Sequence, residues 1–485
     1  MESWIMALSV MLVYLIVALV VGVLAGRGRA FSVSEYVVGE RKFGIIIMLF
    51  LMGGTWFSAF AFLGGPGWAY SKGAAVYYIL AYLVPPFILW YLLGPKASRI
   101  GKKLNLLTQG DLLKERYQSK VLPAIVAIVA MIAFIQYICI QLKGTAYLVN
   151  VFTEGHLPLW AGALLAYGIV ILYVAISGVR GAAWSDVLQG TLMIVIAWGL
   201  GLYIVYHLYE SPTAMFQQIA AAHPGHLVLG KEGSHMSAMT CASLVILSSL
   251  GGMMWPHLFM KSYVAEERTI KKTILLFPIL GVFLIPVFFI GFAGIMKVPP
   301  SELGSADQIL PYMIYNVLKI SPLLIGLVGA GALAASMSSA DAITHGAGTV
   351  FVQDIIRPII PKMSEKNVVW AMRSMVVIIA AIAYGLTFGK ATLVGLLIGG
   401  YGYIVQIAPL VYAALYWSRA TKEGAISGFV VGTLVNSYYV FSKAATPLGI
   451  NAGIVGLIAN IVVLVVVSLL TKAQSKEHIE KFVGA

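Results

Sequence analysis

Long apolar stretches recur along the chain, and each is about as long as a lipid bilayer is thick. The stretch 450–470, for example, is apolar on almost every side. A bilayer-spanning helix needs roughly 20 apolar residues, whereas a membrane β-barrel alternates apolar and polar residues along each strand. With 60% hydrophobic and 11% charged residues, the chain has too little polar surface to cover a soluble globule. The pattern predicts an all-α membrane protein.

The apolar stretches number 13, and we expect each to cross the membrane as one helix. An odd number of spans places the two chain termini on opposite sides of the bilayer. The predicted transmembrane helices are 4–25, 43–68, 75–93, 121–148, 159–176, 187–206, 239–259, 274–296, 323–355, 368–386, 393–417, 426–440 and 450–470.

The distribution of positive charge predicts an orientation in the plasma membrane. One set of alternate loops carries 25 of the 32 Lys and Arg residues, Lys261 among them, and the other set carries 7. Cytoplasmic loops retain more Lys and Arg than external loops, so we expect the N-terminus outside and the C-terminus inside. The net charge of +13 is then a consequence of topology and does not indicate a nucleic-acid partner.

Two predicted spans contain helix-breaking residues. They are the segments 62–68 (FLGGPGW) and 251–257 (GGMMWPH). Proline removes a backbone donor and glycine permits unusual dihedrals, so we expect both helices to break there. Such breaks survive in a membrane only where they are buried in protein or line a cavity. Two ordinary helix kinks are the alternative.

The spacing of the two breaks favours a transporter. They lie five helices apart, as expected for inverted repeats whose broken helices line a midplane site. The predicted organisation is a peripheral first helix (1–30), a first repeat of helices 2–6 (31–210) and a second repeat of helices 7–11 (211–418). Peripheral helices 12–13 and a cytoplasmic tail (419–485) follow.

Several motifs carry a family resemblance across nearly the whole chain. They include 35–41 (EYVVGER), 177–190 (SGVRGAAWSDVLQG), 335–339 (ASMSS) and 415–421 (LYWSRAT). With these motifs the chain resembles the sodium/solute symporters, which include proline, pantothenate and monocarboxylate carriers. The resemblance implies a LeuT-like core and sodium-coupled transport by alternating access, and it implies no enzymatic activity.

The predicted ninth span places Ala335, Ser338 and Ser339 on one helix face, because their offsets are three and four residues. Serine hydroxyls offer oxygen acceptors without bringing a charge into the membrane. The resemblance implies that the main sodium site comprises the carbonyls of Gly54, Phe57 and Ala335 with the two serine hydroxyls. The alternative is that small residues merely let helices approach closely.

Two carboxylates are candidates for a second cation site. Asp341 lies inside the ninth span, where a carboxylate is costly without a partner, and Asp186 lies at the edge of the sixth span. Some members of the family hold an additional sodium between these helices, although they usually carry a small polar residue in place of Asp341. The pair would bind a cation or share a proton; helix capping is the alternative for Asp186.

In this fold the solute sits between the two breaks, where aromatic faces and a few amides suit a small organic molecule. For each aromatic residue, anchoring at the membrane interface is the alternative. The candidate solute residues are Phe60, Ala61, Gly64, Lys143, Trp255, Tyr401, Tyr403 and Gln406.

The nature of the solute rests mainly on Lys143, a cation in the fourth span. It could pair with an anionic solute, or it could reach water near the outer surface. We expect a carboxylate such as pantothenate or a monocarboxylate. A sodium-coupled carrier of proline or another zwitterion, or a proton-coupled carrier on the same scaffold, remains the alternative. The oligomeric state stays open, with a monomer in the bilayer as one option.

Overall fold

The computed structural model describes residues 2–27, 32–230 and 234–484, and their regular structure is entirely helical. Arg29 and Lys231, which the charge count includes, lie outside the described residues. The α-helices are Ser3–Gly26, Val33–Val38, Ile45–Trp56, Gly65–Lys72, Tyr78–Ala81, Pro85–Lys103, Gln109–Tyr117, Val121–Phe152, Leu159–Tyr209, Pro212–Ala222, Ala238–Gly251, Pro256–Phe259, Glu267–Gly281, Leu284–Ile295, Ile309–Tyr312, Pro322–Phe351, Arg357–Ile359, Glu365–Leu386, Leu393–Ile404, Ala408–Tyr416, Lys422–Ser442, Ala452–Leu470 and Lys476–Val483.

The predicted number of 13 spans is not confirmed. In the described part of the chain, ten helices are long and apolar enough to cross a membrane, or eleven if the bent pair Ala238–Met254 and Pro256–Tyr263 forms one span. The difference arises partly because the predicted spans 159–176 and 187–206 join without a loop into the segment Leu159–Tyr209, which is kinked at Gly178 and forms one of the ten. Its 51 residues would extend about 76 Å if they were straight, more than twice the thickness of the hydrocarbon core.

Gly178 marks the point at which this long helix changes direction. Its φ of 56° and ψ of −144° are non-helical. A Cβ atom at this position would lie 2.5 Å from the carbonyl oxygen of Tyr36, so only glycine fits. Asp186 lies inside the helix, well past this kink, and its carboxylate therefore does not cap a helix start.

The helix Pro322–Phe351, here called the serine helix, lies at the centre of the molecule. In its span 83% of the apolar window is buried, against 33% for Ser3–Gly26 and for Lys422–Ser442. It packs against Leu159–Tyr209, Val121–Phe152 and Ser3–Gly26. Its many Gly, Ala and Ser residues allow this close approach, because small side chains let helix backbones come together in a membrane.

Candidate cation and solute site

The first broken span, residues 45–72, is interrupted earlier than predicted. The helix ends at Trp56, and Phe57 has a non-helical ψ of 68°; a π-helical turn and the helix Gly65–Lys72 follow. The predicted break at 62–68 is therefore misplaced. Pro66 lies in the first turn of the new helix, where no backbone donor is required and proline is favoured.

Side chains from elsewhere in the chain satisfy the backbone at this break. Gln141 Oε1 accepts the N–H of Ala59 at 3.1 Å, and the hydroxyl of Tyr137 donates to the carbonyl of Thr55 at 3.2 Å. Tyr137 and Gln141 are one helical turn apart on Val121–Phe152. We did not predict either residue. The signal was there, because two polar residues at this spacing in an apolar helix share a face.

The two serines of the serine helix contact this helix end directly. The Ser339 hydroxyl donates to the carbonyls of Gly54 at 2.8 Å and of Thr55 at 3.1 Å. The Ser338 hydroxyl donates to the carbonyls of Gly54 at 3.0 Å and of Ala335 at 3.3 Å. Both serines are completely buried. The structure thus brings together four of the five groups predicted for the main sodium site.

Phe57, the fifth predicted group, belongs to the same helix end. Its N–H donates to the carbonyl of Gly53 at 2.8 Å, and its ring packs against Phe277 and Phe283 with centroids 5.4 and 4.6 Å away. The donor set as a whole fits a hard monovalent cation. It consists of helix-end carbonyls and hydroxyls, which can turn their oxygen lone pairs toward a cation without a buried charge.

Asp186 and Asp341 are both completely buried beside the serines. A Cβ at Gly54 would lie 2.7 Å from Asp186 Oδ1, which places this carboxylate against the broken helix end. Asp341 Oδ2 accepts from the hydroxyls of Tyr173 at 2.9 Å and of Ser185 at 3.3 Å.

The remaining oxygens of the two carboxylates are available. Among the described residues, neither oxygen of Asp186 and not Oδ1 of Asp341 has a hydrogen-bond partner, and both polar atoms of Gln189 also lack one. Buried polar groups are normally paired. These free acceptors therefore fit a bound cation.

Lys261 is a buried cation that was predicted to lie in a loop. It follows the second break, and its side chain is only 4% exposed. Its ammonium donates to the carbonyl of Leu51 and to the hydroxyl of Thr55. The prediction failed because the short helices after Pro256 continue the broken span at an angle of 56° and carry the lysine into the core.

Two predicted aromatic residues of the solute site, Trp255 and Tyr401, meet beside the second break, which falls within the predicted segment. The Trp255 ring packs edge-on against Tyr401 with centroids 5.5 Å apart, and it lies 4.9 Å from the Tyr137 ring. Phe60, Ala61 and Gly64 occupy the π-helical turn after the first break and are buried.

Tyr403 and Gln406 do not face this cluster. The Tyr403 hydroxyl accepts from Ser437 at 3.4 Å, and the Gln406 amide donates to the carbonyl of Gly453 at 2.9 Å. These contacts direct both side chains toward the helices Lys422–Ser442 and Ala452–Leu470. Successive helical residues are rotated by about 100°. Tyr403 follows Tyr401 by two residues and therefore points to nearly the opposite side of the helix.

Two backbone carbonyls bind the ammonium of Lys143. Its ammonium donates to the carbonyls of Gly389 at 2.7 Å and of Ala391 at 2.6 Å. It is 6% exposed and follows Gln141 by two residues, so it lies closer to the level of the break than the sequence count suggested. The nearby Asp307 carboxylate accepts the N–H of Leu393 at 3.0 Å.

An all-helical core with two broken spans, in which paired serines reach the carbonyls of the first break, defines a secondary active transporter. Residues 36–432 match the profile of the Sodium:solute symporter family. The uncharacterized symporter YhjB of Bacillus subtilis is 33% identical over 96% of this chain and 97% of that protein. The chain belongs to the sodium:solute symporter family.

Other relatives and a solved structure agree with this assignment. The sodium/pantothenate symporter of Escherichia coli is 27% identical over 86% of this chain and 87% of its own length. A monocarboxylate transport permease of Rhizobium johnstonii is 26% identical over 97% of this chain and 98% of its own length. The structure of a Na+-coupled sialic acid symporter has the same fold, with a TM-score of 0.81 and 17% identity over 97% of this chain and 99% of that one. The protein is a sodium-coupled symporter of the membrane and not an enzyme.

Proposed function

We propose that the protein imports a small organic carboxylate together with sodium. The observation that carries this proposal is the pair of serine hydroxyls on the Gly54 carbonyl, because it joins the serine helix to the end of a broken span. Sodium bound there would couple the positions of the two elements, and a ligand shifts an equilibrium only by its differential affinity for the two states.

The carboxylate cargo is supported by charge and by relatives. Lys143 is a buried cation close to the level of the first break, and it is held by two backbone carbonyls that a competing anion could replace. Two relatives similar over most of the chain carry names that refer to pantothenate and to monocarboxylates. A sodium/proline symporter of Staphylococcus aureus, 25% identical, supports the zwitterion alternative.

The proposed membrane arrangement follows from the same assignment. It comprises 13 spans, with helices 2–6 and 7–11 as inverted repeats around the two breaks. The first helix and the last two are peripheral, and Ser3–Gly26 and Lys422–Ser442 have the lowest burial among the described spans, at 33%. The N-terminus lies outside the cell and the C-terminus in the cytoplasm, as the loop charges predict.

A second sodium at Asp186 and Asp341 gives acid transport a voltage dependence. A monoanion that moves with one sodium carries no net charge. One additional charge crossing about 100 mV supplies roughly 2.3 kcal/mol. Currents should therefore accompany acid transport in proteoliposomes, and their absence alongside a 1:1 flux would remove the second site.

Uptake into proteoliposomes tests the proposed cargo and the coupling ion. The panel is radiolabelled pantothenate, lactate, pyruvate, acetate and proline, each with sodium and with choline in its place. We expect uptake of one of the acids that stops when sodium is replaced. Preferential uptake of proline would favour the zwitterion alternative. Uptake that persists without sodium and collapses with a protonophore would favour proton coupling.

A further inference from the structure

We propose that Lys261 is a built-in countercation of the sodium sites and thereby fixes how many sodium ions the protein binds. The inference rests on the proposed function, since it concerns the sites formed by the serines and by the Asp186–Asp341 pair. It adds a residue that determines stoichiometry and that is not itself a sodium ligand.

Lys261 and Asp186 contact the same turn of the helix Ile45–Trp56. The ammonium of Lys261 bonds the Leu51 carbonyl and the Thr55 hydroxyl, which are one turn apart on the same helix. Asp186 abuts Gly54 within that turn. The ammonium is thus in electrostatic range of both Asp186 and Asp341, in a region where all three side chains are at most 4% exposed.

The ammonium of Lys261 makes no hydrogen bond to either carboxylate in the described structure. Both oxygens of Asp186 are without a hydrogen-bond partner in the described part of the chain, and Lys261 is tied instead to the backbone and hydroxyl of the broken span. Its charge therefore compensates the carboxylates, while among the described residues both oxygens of Asp186 and Oδ1 of Asp341 stay free. An exchangeable cation can still bind them directly.

The charges of the buried groups then define the number of ions. Two carboxylates and one ammonium give a net charge of minus one. Adding two sodium ions and a monoanionic solute brings the loaded site to neutrality, the favourable state for charges removed from water. Without the lysine charge, the same loaded site would need a third cation.

The imidazoles near Lys261 do not change this count. His257 is buried, and among the described residues neither of its ring nitrogens has a partner. His345 makes one hydrogen bond, from Nε2 to the Tyr36 carbonyl at 2.9 Å. A cationic imidazole has two N–H donors to satisfy, so both rings fit the neutral form.

Direct binding of ²²Na⁺ to the purified full-length protein, without solute, tests the inference. Lys261→Gln removes the charge but keeps a donor for Leu51 and Thr55, and Lys261→Arg keeps the charge. For the glutamine variant we expect the sodium concentration at half-saturation to fall by about threefold or more, because a like charge has been removed from a region of low dielectric constant. The arginine variant should bind as the wild type does.

A double variant that restores the net charge distinguishes an effect of charge from a failure of a single variant to fold. Asp341→Asn alone makes the cluster neutral and should lose one bound sodium. Asp341→Asn combined with Lys261→Gln returns the net charge to minus one and should recover sodium affinity, an outcome that a purely structural lysine would not produce.

Two results would overturn the inference. One is sodium binding by Lys261→Gln that is unchanged or weaker than wild type in a monodisperse preparation. The other is a double variant that binds no better than Asp341→Asn alone. Neither result depends on the solute, so failure here is distinguishable from failure of the proposed cargo. If the wild-type protein bound no sodium at all, the proposed function itself would be rejected.

Discussion

The hydroxyl of Ser339 donates to the carbonyl of Gly54 at 2.8 Å, across 285 positions of sequence. This contact joins the most buried long helix to a backbone group that a broken helix leaves available. The carbonyls in the last turn of a helix have no N–H partner within that helix. Here they face two hydroxyls and lie beside the Asp186 carboxylate, whose oxygens have no hydrogen-bond partner in the described part of the chain.

Gly54→Ala should abolish sodium-dependent uptake. Its Cβ would lie 2.7 Å from Asp186 Oδ1 and 3.1 Å from Ser338 Cβ, so the serine helix or the carboxylate must move. The control is Gly53→Ala, whose Cβ would meet the flexible end of Leu280 at 2.8 Å and lie at ordinary contact distance, 3.7 Å, from the Phe57 ring. Uptake should survive in the control. Normal sodium dependence in Gly54→Ala would show that the close approach is unimportant.

Gln141→Leu should destabilise the first break. The change leaves the buried N–H of Ala59 without its acceptor, which costs about 1–3 kcal/mol. We expect a lower apparent Tm and weaker sodium binding, measured by thermal unfolding in detergent with and without sodium. Gln218→Leu, at an exposed position, is the control. Equal Tm values for the two variants would contradict the capping role.

Asp307 should make stability depend on pH. Burial raises the pKa of this carboxyl from 3.8 to about 6, although the Leu393 N–H and Lys143 oppose the shift. The folded protein then holds a proton that the unfolded chain has lost, so the stabilisation present below about pH 4 falls by about 3 kcal/mol as the pH rises through 6.

The Asp307→Asn variant tests this contribution, because it cannot ionise and keeps an acceptor for Leu393. Its Tm relative to wild type should increase between pH 4 and pH 7. Glu302→Gln, an exposed acid nearby, is the control and should leave the pH profile of the wild type unchanged. A constant difference between Asp307→Asn and wild type would show that Asp307 does not titrate in this range.

Tyr401→Phe should weaken solute binding, whereas Tyr403→Phe should not. Tyr401 lies against Trp255, and loss of one hydrogen bond of about 1 kcal/mol raises the solute KM by about fivefold. Tyr403 faces Ser437 and is the matched control. Solute-dependent uptake at saturating sodium is the measurement. Equal KM values for the two variants would place the solute elsewhere.

The sequence predicted the serine contacts because offsets of three and four residues place Ser338 and Ser339 on the helix face of Ala335, and the family resemblance implies their partner Gly54. It misplaced the first break. Glycine and proline show where a helix can tolerate interruption. Where it is interrupted depends on acceptors such as Gln141, which come from a different helix, so the residues around the break do not reveal its position.

Side-chain direction was the other information that the sequence lacked. Lys261 lies in a segment that was predicted to be a loop. The second broken span bends by 56° and places this residue in the core. Gln406 was predicted to help close the solute pocket, and in the structure its amide donates to the carbonyl of Gly453. Both contacts come from packing between distant segments, which local spacing does not encode.

The most direct test of the account is ²²Na⁺ binding to the purified protein carrying Ser338→Ala and Ser339→Ala together. Ser336→Ala is the matched control, because its hydroxyl donates to the Ala332 carbonyl of the same helix at 3.4 Å and makes no contact with Gly54 in the described structure. We predict that the double variant loses high-affinity sodium binding and that the control retains it. Sodium binding by the double variant with unchanged affinity would contradict the assignment of the main sodium site.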